Sequence, residues 1–226
     1  MENEILAILT SIEEKLNSSS ISPRIRASLT RELAKAKSRY CNFNASLLKG
    51  ETKKQVYESL TKKGKDLLKN SSNLNNVYSY LRYANAAYFD FTNSLEPLNT
   101  GIRLFTLTSA LLIALSPQFL GAIFSFVLVL PIFLGLNALK KRSSFGYIMA
   151  SFIFPVSLVV STLWLRFGYR VLKDYSEVLI ETVQATGKSP EIARFLITIP
   201  PLLSLLLLIS ACLMMINLYK MRDALI

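Results

Sequence analysis

Residues 119–139 read FLGAIFSFVLVLPIFLGLNAL, twenty-one residues without a charged side chain, and Lys140, Lys141 and Arg142 follow at once. A helix of about 20 apolar residues spans the hydrocarbon core of a bilayer, whereas a helix of a water-soluble domain keeps one polar face. No such face exists here, because the few polar residues, Ser125 and Asn137 among them, stand isolated among aliphatic and aromatic neighbours. The stretch predicts a membrane-crossing helix closed by a basic turn.

Working outward, the same pattern recurs three times. Residues 95–116 form a span whose apolar part is densest at 104–115, and Ser116-Pro117-Gln118 makes so tight a break that the first two spans are expected to form a hairpin. Residues 145–165 form a third span, with Tyr147 near one end and Trp164 near the other, where ring systems anchor at membrane interfaces. Residues 195–219 form a fourth, interrupted by Pro200-Pro201, which predict a kink or hinge because neither proline donates a backbone N–H. Between the last two spans, Leu172, Tyr175, Leu179 and Val183 recur at helical spacing and predict an amphipathic helix over about residues 168–186, stopped by Gly187.

The chain before the spans is different in kind. Residues 1–100 carry 15 Lys/Arg against 10 Asp/Glu, and the remainder 11 against 5, almost all outside the apolar runs. Ile5, Ile8, Leu9, Ile12 and Leu16 mark a first amphipathic helix, with a serine-rich break after it. Ser22 and Pro23 suit the start of a second helix, whose stripe of Ile25, Leu29, Leu33, Ala36, Tyr40, Phe43 and Leu47 predicts continuation to Gly50. Thr52 and Gln55 fit a capping box for a third helix, where Gly64 is expected to cost about 1 kcal/mol relative to Ala. Val77, Tyr80, Leu81, Ala84, Ala87, Tyr88 and Phe91 mark a fourth. Four such stripes need apolar partners, and neighbouring helices supply them. The expectation is an all-α, polytopic helical membrane protein with an N-terminal cytoplasmic helical bundle: a soluble four-helix domain over residues 1–94 and a transmembrane domain over 95–226.

Orientation follows from the basic residues. Residues 1–100 are net +5, the 140–142 turn is +3, and in the stretch 167–194 four cations and four carboxylates cancel. Cytoplasmic loops hold excess Lys/Arg, so both termini are expected in the cytoplasm of a multi-pass cell-membrane protein, with the 168–186 helix outside. Four spans require the same arrangement independently. The motifs Asn17-Ser18-Ser19, Asn44-Ala45-Ser46 and Asn70-Ser71-Ser72 have the form of glycosylation acceptors and would favour the inverse, but a region this rich in Asn and Ser produces them by composition. The acidic, polar start Met1-Glu2-Asn3-Glu4 is not that of a cleaved signal peptide.

The net charge of +11 serves topology rather than nucleic acid, because the basic residues form no patch interleaved with aromatics. The chain has no histidine, and its two cysteines, Cys41 and Cys212, lie at different depths and do not form a pair. No metal spacing, phosphate-cradling glycine loop or nucleophile motif is present, so neither a cofactor nor an enzyme is expected. Asp90 and Glu96 read as solvated carboxylates at helix ends.

The residues singled out are structural. Ala110/Ala114 and Gly121/Ser125, small pairs four apart, are candidate helix-packing or subunit-interface positions. Pro200 and Pro201 are the candidate hinge, and Arg103, Lys140, Lys141, Arg142, Trp164 and Arg166 the candidate membrane-interface anchors. The functional expectation is a membrane scaffold or assembly subunit that presents its helical domain to a protein partner or to further copies of itself. The alternatives are a small channel or carrier with a Ser/Thr-lined path, and a lipid-acting enzyme on the basic face.

Overall fold

The computed structural model describes residues 4–18, 21–44, 48, 50–69 and 74–226, and among them there are helices and no strand. The sequon residues Ser19, Ala45, Ser46, Asn70, Ser71 and Ser72, together with Leu47, lie outside the described residues. The chain divides into two compact units, one of residues 1–96 with 223–226, the other of residues 97–222. The expected transmembrane domain ran to residue 226. The structure instead assigns its last four residues to the N-terminal unit.

In that unit, α1 (Glu4–Ser18) packs on α2 (Pro23–Cys41) and α3 (Glu51–Lys69), and α4 (Leu74–Phe91) packs on the same two. Every stripe residue named for α1 is buried, as are Leu29, Leu33, Ala36 and Tyr40 of α2, Leu60 of α3 and Tyr80, Leu81, Ala84, Ala87 and Phe91 of α4. Phe43, Val77 and Tyr88 are half-buried, and Ile25 is 46% exposed, because it falls at the open start of α2. The Tyr40 hydroxyl, driven up in pKa by burial, stays a neutral donor to the Ala84 carbonyl at 2.9 Å and ties α2 to α4.

Two helix ends differ from expectation. The second helix stops at Cys41, not near Gly50, with Asn42 as its C-cap. Phe43 turns back onto an aromatic cluster of Tyr40, Tyr57, Tyr88 and Phe91, with ring centroids 5.5–6.2 Å apart. Its burial therefore comes from a fold-back that imitates helical spacing. Gly50, at φ +102°, begins the third helix instead, its carbonyl accepting from the Lys54 amide at 3.3 Å, so Thr52 lies inside the first turn rather than at its cap.

The second unit holds four helices long and apolar enough to cross a membrane. The first is α5 (Glu96–Leu115). The second is not one clean run from 119. A single turn, α6 (Pro117–Leu120), ends at Gly121, whose φ of +79° is open to glycine and strained for L side chains, and the segment long and apolar enough to cross is α7 (Ala122–Val127) continued by α8 (Val129–Lys140). The third, α9 (Ser144–Lys173), passes through Arg166 for two further turns, since nothing between 166 and 173 breaks a helix there. The amphipathic helix consequently begins at Tyr175, not 168, and is α10 (Tyr175–Thr186), closed by Gly187 in the left-handed conformation. The fourth, α11 (Pro190–Lys220), is continuous across Pro200 and Pro201. At 30 and 31 residues, α9 and α11 are about 45 Å long and exceed a hydrocarbon core of about 30 Å. Their surplus ends pack with α10 around Val171, Val178 and Ile197, and Arg170 grips both oxygens of Glu181 at 3.0 Å.

Glycines set the helix approaches in this unit. A Cβ built on Gly101 would lie 2.8 Å from Leu218 Cδ2, on Gly135 2.8 Å from Met149 Cβ, and on Gly168 2.7 Å from Pro201 Cβ. These contacts join α5 to α11, α8 to α9 and α9 to α11. Hydroxyls add directional bonds: Thr108 donates to Ser210 at 3.0 Å between α5 and α11, and Ser116 to Ser125 at 2.7 Å.

Candidate functional site: the cluster that holds residues 223–226

On α2, Glu32, Lys35 and Arg39 lie three and four residues apart and so share one face, next to the apolar stripe. On α4, Arg82 and Asn85 face them. Lys35 Nζ reaches Glu32 Oε1 at 2.9 Å and Asp223 Oδ1 at 3.0 Å, while Arg39 Nη2 holds the other Asp223 oxygen at 2.9 Å. The second arm of Arg39 donates to Asn85 Oδ1 at 2.7 Å, and its guanidinium lies 4.8 Å from the Phe89 ring centroid. Asn85, only 1% exposed, donates back to the Glu32 carbonyl at 3.1 Å. Arg82 Nη2 donates to the Leu225 carbonyl at 3.1 Å. Ala224 and Leu225 are 0% and 2% exposed, so the segment 223–226 enters the unit with a carboxylate and then two buried apolar side chains.

The electrostatics favour the closed arrangement. Burial works against charge on Asp223, but the hydrogen bonds from Lys35 and Arg39 outweigh it and hold the carboxyl below its ordinary 3.8. Lys35 likewise loses solvation, yet the carboxylates of Glu32 and Asp223 hold its ammonium above the ordinary 10.5. The lowered Asp223 pKa means its contribution is complete above 3.8 and is lost as pH falls through the folded value; the raised Lys35 pKa means its contribution is complete below 10.5 and is lost only as pH rises beyond. Asp223→Asn is therefore expected to melt below the wild type at neutral pH. Melting curves of the full chain in detergent should converge for the two proteins as pH falls below 3.8; a gap that persists in acid contradicts the assignment. The side chains of the three ions are 21–26% exposed, which tempers the ion pairs, while burying a leucine such as Leu225 contributes about 1.5–3 kcal/mol.

None of the residues singled out from the sequence belongs to this cluster. Arg103, Lys140, Lys141 and Arg166 are exposed, and Arg142 is half-buried in the α8–α9 turn at φ +55°. Trp164 faces inward: it is 8% exposed, its Nε1 donates to the Leu115 carbonyl at 2.9 Å, and Phe119 and Phe167 meet it edge-on. It closes the end of α5 rather than anchoring at an outer face. Ala110 and Ala114 are both exposed, and the Gly121/Ser125 pair is joined within one turn, Ser125 Oγ donating to the Gly121 carbonyl at 2.9 Å. Pro200 and Pro201 are half-buried inside α11, and Pro201 rests on Gly168.

The cluster was open to sequence reasoning only in part. Glu32, Lys35 and Arg39 are visible as one charged face, and Asn85 as a polar residue beside the buried stripe of α4. Nothing in the pattern pairs them with an aspartate 184 residues beyond Arg39. Comparison with known protein families, with characterised proteins and with solved structures finds no match.

Proposed function

We propose that the chain is a multi-pass protein of the cell membrane with both termini in the cytoplasm, where its N-terminal bundle serves as a scaffold that presents a helical surface to a protein partner or to further copies. One observation carries the reading. The residues that follow the last apolar helix are built into the N-terminal unit, so the chain leaves that unit at residue 96 and returns to it at residue 223 with four apolar helices between. An even number of crossings brings a chain back to the side it left, and the basic excess of residues 1–100 names that side as cytoplasmic.

Lipid contact is supported by the side chains that the second unit turns outward. Ile123, Phe126, Leu130, Phe133 and Leu202 are 60–85% exposed, which suits hydrocarbon and is costly in water. A packing role for the buried hydroxyls of Thr108, Ser157, Ser161 and Ser204, rather than a conduction path, is supported by how these four are satisfied. Ser157 and Ser161 donate to carbonyls four residues back at 3.0 and 2.7 Å, Ser204 to the Pro201 carbonyl at 2.7 Å, and Thr108 to Ser210. Hydroxyls engaged in this way offer little to a passing ion or solute.

The purified protein in liposomes is expected to conduct neither ions nor small solutes above the level of empty vesicles, and to convert no lipid. Extraction from native membranes in mild detergent is expected to bring down a stoichiometric protein partner or a homo-oligomer. Flux or lipid conversion that follows protein concentration, from a chain recovered alone and monomeric, overturns the scaffold reading.

A further inference from the structure

We propose that a cleft along α3, between the start of α1 and Leu48, takes an extended segment of a protein partner in which carboxylates and cations alternate at every second residue. The inference deepens the scaffold reading above and rests on it only for the source of the segment.

The cleft lies within the N-terminal unit and measures about 940 Å3. Its long wall is α3 from Lys54 to Lys69, and Glu4 and Leu48 flank it. At about 1.5 Å per residue that wall is about 22 Å long, so the mean cross-section of the cleft is about 43 Å2. An extended chain, about 4.8 Å by 10 Å, fills about 48 Å2, whereas a helix about 10 Å across needs about 80 Å2. The space suits a strand and is too narrow for a helix.

Two hydroxyls in its lining are unspent. Thr61 is 7% exposed, and its Oγ1 has no hydrogen-bond partner among the described residues. A threonine inside a helix can donate to the carbonyl four residues back, as Thr10 and Thr182 do at 3.0 and 2.7 Å. Thr61 makes no such bond, so turning its hydroxyl into the cleft breaks nothing. Tyr57, one turn earlier and equally buried, has its hydroxyl near the amides of Ile5 and Glu4 but is hydrogen-bonded to neither. A peptide backbone carries the carbonyls and amides that these hydroxyls lack.

Charge defines the sequence of the segment. Lys54, Glu58, Lys62 and Asp66 line the cleft at four-residue intervals, about 6 Å apart, with alternating sign. Among the described residues none of these four is in an ion pair, whereas Lys65 is taken by Glu4 at 2.6 Å. Residues two apart in an extended chain share a face and lie about 6.6 Å from each other. A segment Glu-x-Lys-x-Glu-x-Lys therefore meets the four charges in register. Exposed ion pairs are weak one by one, so selectivity comes from the order of charges rather than from their total.

Fluorescence polarisation tests this with the full chain in neutral detergent and a labelled, end-capped peptide, Glu-Thr-Lys-Thr-Glu-Thr-Lys. It is expected to bind about tenfold more tightly than Glu-Glu-Thr-Thr-Thr-Lys-Lys, which has the same composition in blocks. Thr61→Val should weaken the alternating peptide about fivefold yet leave the melting temperature level or raised, because the hydroxyl it removes is unsatisfied in the free protein. Glu58→Lys should weaken it about tenfold and regain it when the third residue of the peptide is Glu.

Equal binding of the two charge orders, or saturable binding of neither, overturns the cleft as a peptide site. So does a Thr61→Val protein that melts well below the wild type, which would show the hydroxyl spent within the fold. Displacement of the peptide by dodecyl phosphate at a lower concentration than by its own unlabelled copy assigns the cleft to a lipid head group instead. The partner recovery described above is read separately. A chain that brings down a stoichiometric partner but ignores the peptides keeps the scaffold and loses the cleft; one that binds them but is recovered alone and monomeric does the reverse.

Discussion

Gly146→Ala is expected to cost the second unit about 3 kcal/mol, at the upper end of what overpacking by one methyl group does. A Cβ at residue 146 would sit 2.6 Å from the backbone nitrogen of Leu139 and 2.7 Å from its Cγ. A side chain could rotate away, but the Leu139 amide is held inside α8. The turn cannot open either, because it is bonded at both ends: Ser143 N donates to the Ala138 carbonyl at 2.8 Å, Arg142 N to Leu139 at 3.0 Å and Gly146 N to Ser143 at 3.0 Å. Arg142 already occupies the left-handed region there, at φ +55°, so further distortion has little room. Alanine would favour the helix by about 1 kcal/mol, which only partly offsets the clash. Denaturation in mixed micelles measures this, and a Gly146→Ala protein as resistant as the wild type shows that α8 and α9 do not approach as described.

The second large effect lies in the bundle. A Cβ on Gly64 would meet Tyr80 Oη at 2.5 Å, Ile8 Cγ2 at 2.8 Å and Tyr80 Cζ at 2.9 Å, so Gly64→Ala is expected to destabilise by about 1–3 kcal/mol. Helix propensity alone predicts a gain of about 1 kcal/mol, which gives the two accounts opposite signs. Tyr80 makes the test sharper. Its hydroxyl is buried without a hydrogen-bond partner among the described residues, as is that of Thr61, and burial together with the neighbouring Tyr57 drives its pKa up. Removing an unsatisfied buried hydroxyl is close to neutral or stabilising, so Tyr80→Phe should leave the melting temperature level or raised. Because it also removes the atom nearest the new methyl group, the Gly64→Ala/Tyr80→Phe double variant should recover part of the loss, with a coupling of about 1 kcal/mol. Strict additivity would place the two residues apart.

Periodicity made the helical class and the burial stripes legible, because a helix in contact with a core or with lipid must repeat at about 3.6 residues. It misled where another geometry produces the same spacing, as at Phe43, which reaches the core by folding back after α2. It also missed helix continuity at Arg166, since charge at the end of an apolar run marks the end of hydrocarbon rather than the end of a helix. Small residues four apart at 110/114 suggest helix packing or a subunit interface, whereas the close approaches within the unit occur at the lone glycines 101, 135, 146 and 168. A lone glycine leaves no pattern, and which ones lie under a neighbouring helix depends on tertiary placement. The Asp223 cluster escaped for a related reason: its members are ordinary surface-type charges until the chain returns from its last apolar helix.

The proposed function requires the four apolar helices to cross a bilayer, with the bundle on the cytoplasmic side and α10 on the other. Two single-cysteine proteins measure this directly. In one, Cys212→Ala leaves the exposed Cys41 as the reporter for the bundle. In the other, Lys188→Cys in a chain lacking both native cysteines reports on the exposed link between α10 and α11. A membrane-impermeant thiol reagent applied to intact cells should label residue 188 and spare residue 41, and inverted membrane vesicles should give the opposite result. Labelling of both residues from the same side contradicts the topology and the scaffold reading built on it.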